Sequence, residues 1–507
     1  MQFWRKYHRW AGLVLSLFFF LLAFSGIVLN HRAFFSDFSI SRSILSKSYK
    51  YSNWNNSAIR NGLSITEDST LFYGNVGCWL KTNDSDDFLD FNQGFPSGID
   101  NRKITKLFQT NQNRIFAGTL FGLYERQCNN WSKIKLPTDH QRITDIIEHQ
   151  DTLMILTRSE LCLLPLNQSS EVEMEYLPVP DDYDHKESLF KTLWVIHSGE
   201  ILGLTGKLLV DVIGLLFLFF SMTGFVWFIS PGLIKRAKKR LKPIYPKQKI
   251  FRFSVKWHNR LGIYVVFFLL ITTLTGMFLR PPLLIAIARS KISKIPGTML
   301  DSPNPWFDKL RAIRYNDHHK VFLVSTSNGF YALTSDRQRM IPTPQQPPVS
   351  VMGINIFKQT TSTSYLIGSF NGIYQWYPFQ LSVHNYLTGE LYQPSHTPSR
   401  PIGDYMAAGY FIDGESEYYF DYNHGVVQLN GTEPFPDMPE NILNESPMSL
   451  WNLMLEIHTA RIFQDLIGPF YILIIPLTGL ATVFLLLSGV WVWWKRFRKK
   501  RSMACKD

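Results

Sequence analysis

The chain has 507 residues, enough for two or more domains. Charged residues make up 18% of it and aromatic residues 15%, which are low and high values for a soluble protein. Four long apolar runs interrupt an otherwise polar chain, so a fully soluble protein is excluded. So few runs also argue against a many-helix transporter.

The net charge of +12 is concentrated beside the apolar runs. The segments 1–9, 231–260 and 495–507 hold 21 of the 52 Lys and Arg residues but only one of the 40 acidic residues. The rest of the chain carries more acidic than basic residues. This distribution is typical of the positive-inside rule of membrane proteins and argues against a nucleic-acid partner.

In chain order, the apolar runs are Ala11–Leu29, Leu208–Ile229, Leu261–Leu279 and Ile467–Trp494. About 20 apolar residues cross a bilayer as a helix, so each run predicts one transmembrane helix. The first run could instead be a signal peptide. No A-x-A-like cleavage site follows it, which favours an uncleaved helix.

The basic segments predict that both termini and the central loop are cytoplasmic and that two large segments lie outside. The predicted chain is therefore a multi-pass membrane protein. The predicted organisation is helix 1 at 1–31, a β-rich external segment at 32–190, helix 2 with an outer extension at 191–230, a basic loop at 231–256, helix 3 at 257–280, a second β-rich external segment at 281–446, an outer helix and helix 4 at 447–494, and a basic tail at 495–507.

The chain contains an internal duplication. Seven residues recur at a constant spacing of 250: Phe3, Lys6, His8, Gly12, Phe18, Gly26 and Leu29 return as Phe253, Lys256, His258, Gly262, Phe268, Gly276 and Leu279. The second and fourth helices correspond more loosely, from His197 to Thr223-Gly224 in one copy and from His458 to Ser488-Gly489 in the other. Equal orientation of the two copies predicts a parallel repeat and a single four-helix bundle.

The external segments have the sequence pattern of β-hairpins. Ile115–Tyr124, Val321–Tyr331 and Tyr365–Tyr374 each contain an apolar run, a small residue, a turn ending in Gly and then a Tyr. The predicted fold class is therefore membrane α+β: four transmembrane helices with two β-rich extracytoplasmic insertions, propeller-like or sandwich-like.

The repeated histidines are the candidate functional residues. On a helix, Gly12 and Gly26 share the face of His8, and His258 has the same arrangement in the second copy. Two such helices would present His8 and His258 to each other as haem iron ligands, and His197 with His458 suggests a second pair. The competing interpretation is that these histidines are interfacial residues and that the glycines serve helix packing.

Two further polar residues lie in or beside the spans. His31 has no counterpart in the second copy; it could be a reserve outer ligand, but a polar helix-end residue is the commoner case. Asp211 lies within a span, where an ionisable group is a functional candidate, unless it stays hydrated near the interface. The remaining histidines are expected to be exposed loop residues: His140, His149, His185, His318, His319, His384, His396 and His424.

Other common site signatures are missing from the sequence. The four cysteines form no CxxC pair, and whether Cys78, Cys128 and Cys162 share a disulfide cannot be read from their spacing. No dinucleotide-binding, Walker A, HExxH or GxSxG motif occurs. Any electrons would therefore come from a quinol or from a separate cytosolic donor protein.

The segment Lys6-Tyr-His8-Arg-Trp-Ala-Gly12, with Ser25-Gly26 and Leu29-Asn30-His31-Arg32, resembles the PepSY-associated transmembrane proteins, as does His197 followed by Thr223-Gly224 and Trp227. Some members of that family are inner-membrane ferric-siderophore reductases that carry haem b. The resemblance covers the four helices. It implies His8, His258, His197 and His458 as haem ligands, with His31 in reserve, and two haems. The long external segments depart from the family pattern.

Three functions follow as hypotheses. The first is a haem-b oxidoreductase, a membrane ferric-chelate reductase that passes electrons to a periplasmic acceptor such as a ferric siderophore. The alternative is a non-catalytic membrane-anchored sensor or envelope binding protein with a β-rich external domain. A transporter is the least favoured, because only one charge lies within the spans.

Overall fold

A computed structural model describes residues 2–85, 87–167, 171–350, 353–394 and 403–504. The chain divides into two compact units. The helical unit comprises residues 1–35, 185–302 and 451–507, and the sheet unit comprises 36–184 and 303–450. His396, named above, and Cys505, the fourth cysteine of the sequence, lie outside the described residues.

The helical unit contains most of the α-helices of the described chain. They are α1 (Gln2–Asn30), α2 (Leu189–Ser198), α3 (Gly203–Lys239), α4 (Tyr245–Phe278), α5 (Leu283–Ile287), α7 (Leu450–His458), α8 (Gln464–Ile467) and α9 (Ile474–Ala504), while α6 (Glu440–Glu445) belongs to the sheet unit. Short 3-10 helices occur at Arg42–Ile44, Lys47–Tyr49, Glu200–Leu202, Met299–Asp301, Arg461–Phe463 and Gly468–Leu473.

Four helical stretches are long and apolar enough to cross a membrane, which confirms the four predicted spans. They are Lys6–Asn30, Glu200–Lys239, Tyr245–Phe278 and Arg461–Lys495. Their outer faces expose large apolar side chains, such as Val14 and Leu17 on α1 and Leu477 and Phe484 on α9. In water such stripes would be unfavourable, so the surface suits lipid contact.

The four long helices pack in a cycle. Helices α1 and α4 each contact both α3 and α9, so α1 and α4 occupy opposite corners of the bundle. Two small apolar clusters fill its interior, one around Leu15, Phe19 and Leu485 and one around Ile213, Phe220 and Leu269. Side chains that converge from α1 and α4 therefore meet at the bundle centre.

The outer helices are oriented by well-defined ends. Helix α2 begins where Ser188 Oγ accepts a hydrogen bond from the backbone N–H of Lys191, and it ends at Gly199, whose φ of 79° is favourable only for glycine. The helical unit also contains a two-stranded sheet of β14 (Lys186–Ser188) and β15 (Lys291–Ser293).

The predicted basic loop at 231–256 is mostly helical, because α3 continues through Pro231 to Lys239 and α4 begins at Tyr245.

The sheet unit is built of antiparallel strands, as predicted. Its strands are β1 (Ser39–Ile40), β2 (Asn61–Thr66), β3 (Ser69–Gly74), β4 (Gly77–Thr82), β5 (Phe88–Asp90), β6 (Ile104–Gln109), β7 (Ile115–Thr119), β8 (Leu123–Gln127), β9 (Asn130–Ile134), β10 (Ile143–His149), β11 (Thr152–Thr157), β12 (Leu161–Pro165), β13 (Glu173–Glu175), β16 (Leu310–Asn316), β17 (Val321–Thr326), β18 (Gly329–Thr334), β19 (Met340–Pro342), β20 (Ile354–Gln359), β21 (Tyr365–Ser369), β22 (Gly372–Tyr377), β23 (Ser382–Asn385), β24 (Ala407–Asp413), β25 (Ser416–Asp421), β26 (Gly425–Asn430) and β27 (Met448–Ser449).

Most of these strands form up-and-down sheets in which sequence neighbours pair. The sheets are β2–β5, β6–β9, β10–β13, β16–β19, β20–β23 and the three-stranded β24–β26, and β1 pairs with β27. The three hairpins predicted from the sequence are the pairs β7–β8, β17–β18 and β21–β22.

The first strands of these six sheets contact one another in a closed order. Strand β6 contacts β2 and β10, β16 contacts β10 and β20, and β24 contacts β20 and β2. Apolar side chains fill the spaces between neighbouring sheets, including the fully buried rings of Trp79, Trp306 and Trp376. The six sheets thus form a ring whose first strands face the centre.

The cysteines of the sheet unit are free thiols. Cys78 and Cys162 are buried, and Cys128 is exposed. Burial raises the pKa of the Cys162 thiol to about 12 and raises that of Cys78 as well. The structure therefore pairs none of these three residues in a disulfide.

Candidate functional site

The structure brings His8 and His258 together at the centre of the bundle. Their ring centroids are 6.4 Å apart and the ring planes are nearly perpendicular, at 89°. His8 Nδ1 lies 3.1 Å from both the carbonyl oxygen of Leu485 and Ser488 Oγ on α9. His258 Nδ1 lies 2.9 Å from Thr223 Oγ1 on α3. Each ring is thus held by a helix other than its own.

His197 and His458 form a second pair. Their ring centroids are 5.9 Å apart, with the planes at 55°. His197 Nδ1 lies 2.9 Å from the Thr272 carbonyl oxygen on α4, and His458 Nδ1 lies 3.1 Å from the Leu22 carbonyl oxygen on α1. As in the first pair, each ring is held by a helix other than its own.

A serine or threonine accompanies every one of these four histidines. Their hydroxyl oxygens lie 2.9–3.4 Å from the four Nδ1 atoms, and the residues are Ser25 (His458), Thr223 (His258), Thr275 (His197) and Ser488 (His8). Each hydroxyl also donates its single proton to a carbonyl one turn earlier in its own helix, at 2.6–2.8 Å. The oxygen can therefore only accept from the imidazole.

This geometry determines the tautomer of each histidine. Carbonyl and committed hydroxyl oxygens are acceptors, so Nδ1 must carry the proton in the neutral ring. Nε2 is then the nitrogen with a free lone pair. A hydrogen bond from Nδ1 that orients the ring and leaves Nε2 for a metal is the usual second-sphere arrangement of metal-binding histidines.

A glycine follows each of these hydroxyl residues and lies against the ring. A Cβ atom added to the glycine would approach Cε1 of the facing histidine to 2.6 Å at Gly276 (His197), 3.1 Å at Gly489 (His8), 3.3 Å at Gly26 (His458) and 3.7 Å at Gly224 (His258). Gly26 and Gly276 therefore accommodate a histidine from the other copy. By contrast, Gly12 has only a 3.8 Å contact with Leu485 and Gly262 has no atom within 4 Å.

The separations of the rings suit a single metal ion between each pair. Two imidazoles that bind one ion from opposite sides, with metal–nitrogen bonds of about 2.0 Å, place their ring centres about 6.2 Å apart. The observed values are 6.4 and 5.9 Å. No group of three or more His, Cys, Asp or Glu among the described residues could hold a metal ion. Each pair thus brings two imidazole rings, and no further His, Cys, Asp or Glu among the described residues, to one position in the bundle.

The two pairs lie at different heights in the bundle. On α1, His8 belongs to the first pair and Gly26 contacts the second, and 18 residues of helix span about 27 Å. Between them, the rings of Phe19 and Phe217 pack with centroids 4.5 Å apart and planes tilted by 31° within the apolar interior. Water is therefore excluded from the region that separates the pairs.

His31 does not join either pair. Its Nε2 lies 2.6 Å from Asp211 Oδ2, and Asn30 donates from Nδ2 to Asp211 Oδ1 at 3.2 Å. The same amide also donates to the Ser198 carbonyl oxygen at 3.2 Å, beside His197. The intramembrane carboxylate thus has two partners, which meets the requirement that a charge in an apolar segment be paired.

Several of the histidines expected to be exposed loop residues are instead half-buried and make contacts within the sheet unit, and one of them, His149, lies in strand β10. His149 packs on Tyr315 with centroids 4.0 Å apart, and His319 stacks on Phe379 at 3.5 Å. His140 lies 3.7 Å from Glu160. These contacts form no ligand cluster among the described residues.

Sequence reasoning missed the residues that hold the histidines. The four Ser/Thr-Gly dipeptides were visible as a repeated feature, but their histidine partners lie 35 to 480 positions away in the chain. The sequence signal that could have identified these partners is that each of the two copies contains two Ser/Thr-Gly dipeptides and two of the four histidines.

Comparison of folds gives only distant likenesses. The extracellular domain of BT4673 from B. thetaiotaomicron has a TM-score of 0.37 at 11% identity, over 73% of this chain and 32% of that one. A Bacteroides thetaiotaomicron protein of unknown function has 0.35 at 10% identity, over 76% and 73%. Saccharomyces cerevisiae Sqt1 has 0.31 at 11% identity, over 79% and 88%. These values are too low to support a conclusion about function.

The chain spans about a third of the length of the BT4673 domain that it matches. No curated protein matches its sequence significantly. A family model does match nearly the whole chain, over residues 1–230 and 232–496, and it is that of the PepSY-associated TM region. The four paired histidines all fall within those residues. This multi-pass membrane chain therefore belongs to the PepSY-associated TM family.

Proposed function

We propose that the protein is a membrane oxidoreductase that binds two b-type haems, one between His8 and His258 and one between His197 and His458. The observation that carries this proposal is that four histidines meet in two pairs. In each of them Nδ1 is hydrogen-bonded, which leaves the lone pair of Nε2 to bind a metal. Haem iron held by two such nitrogens supplies reversible one-electron transfer.

Specific residues would prepare these sites. Ser25, Thr223, Thr275 and Ser488 keep the Nδ1 proton in place and hold each ring against rotation. The facing glycines leave room for the imidazoles. Phe19 and Phe217 keep the interior between the pairs dry, so charge in it is stabilised only by the protein's own dipoles.

The proposed direction of electron flow follows from the charge distribution. Basic residues at the N-terminus, around α3–α4 and at the C-terminus would be cytoplasmic, in a bacterial inner membrane. A quinol or a cytosolic reductase would then donate electrons, and a periplasmic ferric chelate such as a ferric siderophore would accept them. The two halves of the bundle would be parallel repeats, since His8 relates to Gly489 as His258 relates to Gly224.

The sheet unit would form a six-bladed β-propeller in the periplasm. Six up-and-down sheets whose first strands contact in a closed order support a propeller over a sandwich, which would stack two sheets face to face. A function without redox chemistry, that of a membrane-anchored sensor or envelope binding protein, is the second candidate. This large ring of sheets favours it, because propellers commonly present binding surfaces.

The first experiment is an absorption spectrum of the protein purified in detergent after haem-replete expression. Sharp low-spin bands in the dithionite-reduced minus oxidised difference are expected. His8→Ala or His258→Ala should remove one haem signal and leave the other. A flat difference spectrum in the wild-type chain would refute the oxidoreductase and favour the sensor.

Two hydroxyl variants provide a sharper test of the ligand geometry. In the described chain Thr223 Oγ1 is the single hydrogen-bond acceptor for His258 Nδ1, whereas His458 Nδ1 keeps the Leu22 carbonyl oxygen if Ser25 is removed. Thr223→Val should therefore shift the reduction potential of its haem more than Ser25→Ala shifts the other. Equal shifts would contradict the assigned proton positions.

A further inference from the structure

The centre of the six-sheet ring carries a layer of polar side chains. Five sheets each contribute one residue to it, from their first strand or the position just before it: Arg60, Lys106, Asp145, Arg314 and Asn355. The layer contains three cations and one carboxylate. Such an excess of one sign is costly inside a protein unless water or a ligand offsets it.

Two of these residues neutralise each other. Arg314 forms an ion pair with Asp145 and donates from Nε to the Phe357 carbonyl oxygen at 2.7 Å. Asp145 also accepts backbone N–H bonds from Ile313 and Ile146, at 2.9 and 3.0 Å. Asp145 lies on β10 and Arg314 on β16, so the ion pair joins neighbouring sheets.

The other two cations remain uncompensated. Arg60 has a long contact of 3.4 Å from Nη1 to Asn355 Oδ1. The Lys106 ammonium has no hydrogen-bond or ion-pair partner among the residues that the structure describes, although it lies within electrostatic range of Arg314 and Asp145. Three N–H donors of Lys106 and most of those of Arg60 are thus free to bind an anion.

Both side chains are deep in the unit yet accessible to solvent. Burial lowers the pKa of Lys106 to about 8, with a further lowering by Arg314, and burial also lowers the pKa of Arg60. Nevertheless both side chains are only half-buried. Both cations are therefore partly desolvated while part of each side chain stays exposed.

We propose that Arg60 and Lys106 form a binding site at the centre of the ring for a small anion with two or more negative charges, of the carboxylate or phosphate type. A guanidinium binds such groups through two parallel N–H bonds, and an ammonium adds a point charge. Asn355 Oδ1 lies 3.4 Å from one end of the guanidinium, at Nη1. This site lies wholly within the sheet unit, so it does not depend on the redox proposal.

Calorimetric titration of the full-length protein in detergent tests the site, with citrate and inorganic phosphate as separate probes at pH 7. We expect saturable binding of at least one probe. Lys106→Met should weaken it by about tenfold or more, as expected when a charged partner is removed. Lys320→Met, which removes an exposed lysine paired loosely with Asp317 at 3.8 Å, is the matched control and should bind as the wild type does.

The two probes distinguish the chemical source of the anion. Preference for citrate indicates an organic polycarboxylate, and preference for phosphate indicates a phosphoryl group. Absence of binding of both probes to the wild type would overturn the proposal. Wild-type affinity in Lys106→Met, or an equal loss in Lys320→Met, would also overturn it. Thermal unfolding of both variants establishes that each is folded.

Discussion

Substituting Gly276 by Ala tests the packing of the second histidine pair. A Cβ there would lie 2.6 Å from Cε1 and 3.0 Å from Nδ1 of His197, closer than atoms can pack. The ring must therefore move away from the Thr272 carbonyl oxygen, to which Nδ1 is bonded at 2.9 Å. Gly262→Ala, on the same helix, is the matched control because nothing lies within 4 Å of it.

The size of the effect follows from two opposing terms. Replacing a helical glycine with alanine contributes up to about 1 kcal/mol of stability through helix propensity. Overpacking a filled interior costs about 1–3 kcal/mol. Gly262→Ala should therefore be neutral or slightly stabilising, while Gly276→Ala should be less stable than that control by about 1–3 kcal/mol.

Thermal unfolding in detergent measures this difference, which for a unit of this size corresponds to roughly 2–4 °C per kcal/mol. A haem spectrum recorded on the same samples reports on the second pair, and we expect Gly276→Ala to perturb one of two signals. Equal melting temperatures and spectra for the two variants would show that the ring does not pack against Gly276 as described.

Three other predictions concern separate parts of the molecule. His31→Ala leaves Asn30 as the one side-chain partner of the Asp211 carboxylate among the described residues, so it should destabilise the protein by about 1–3 kcal/mol. Adding Asp211→Asn should recover part of this loss, which a double-mutant cycle of melting temperatures would measure. In a Cys505→Ser background, maleimide should label Cys128 in the native protein and the buried Cys78 and Cys162 only after denaturation; rapid labelling of all three would contradict their burial. Because the pKa of Lys106 is lower in the folded chain than in the unfolded one, the unfolded state binds more protons above about pH 8, so wild-type stability should rise with pH toward 10. Lys106→Met should lack this rise and should be more stable than the wild type at pH 7, with Arg314 and Asp145 still close to the position. Parallel pH profiles of the two proteins would refute the assignment.

Much of the architecture could be predicted from local patterns. Four apolar runs predict the four helices because a bilayer span needs about 20 apolar residues, and the described chain contains four such helices. The hairpins at Ile115–Tyr124, Val321–Tyr331 and Tyr365–Tyr374 were predicted because turn chemistry and strand alternation are local properties. The recurrence of His8 and Gly26 at His258 and Gly276 pointed to the histidines as the candidate site.

Other features depended on contacts between distant parts of the chain. Helical periodicity gives the face on which Gly26 lies, but not that His458 would occupy the space beside it. Likewise, Ser25 and Thr223 belong to repeated Ser/Thr-Gly dipeptides in the sequence, but only the fold places an imidazole against each hydroxyl.

The sequence alone determined the four helices, the antiparallel hairpins and the repeated histidines, because these follow from composition and short-range periodicity. Tertiary structure decided which residues face each other: His31 with Asp211, the histidines with their hydroxyl partners, and Arg314 with Asp145 between two sheets of the ring. The physical reason is that a residue's direction on its own helix or strand is a local property, whereas its neighbours are set by how distant elements pack.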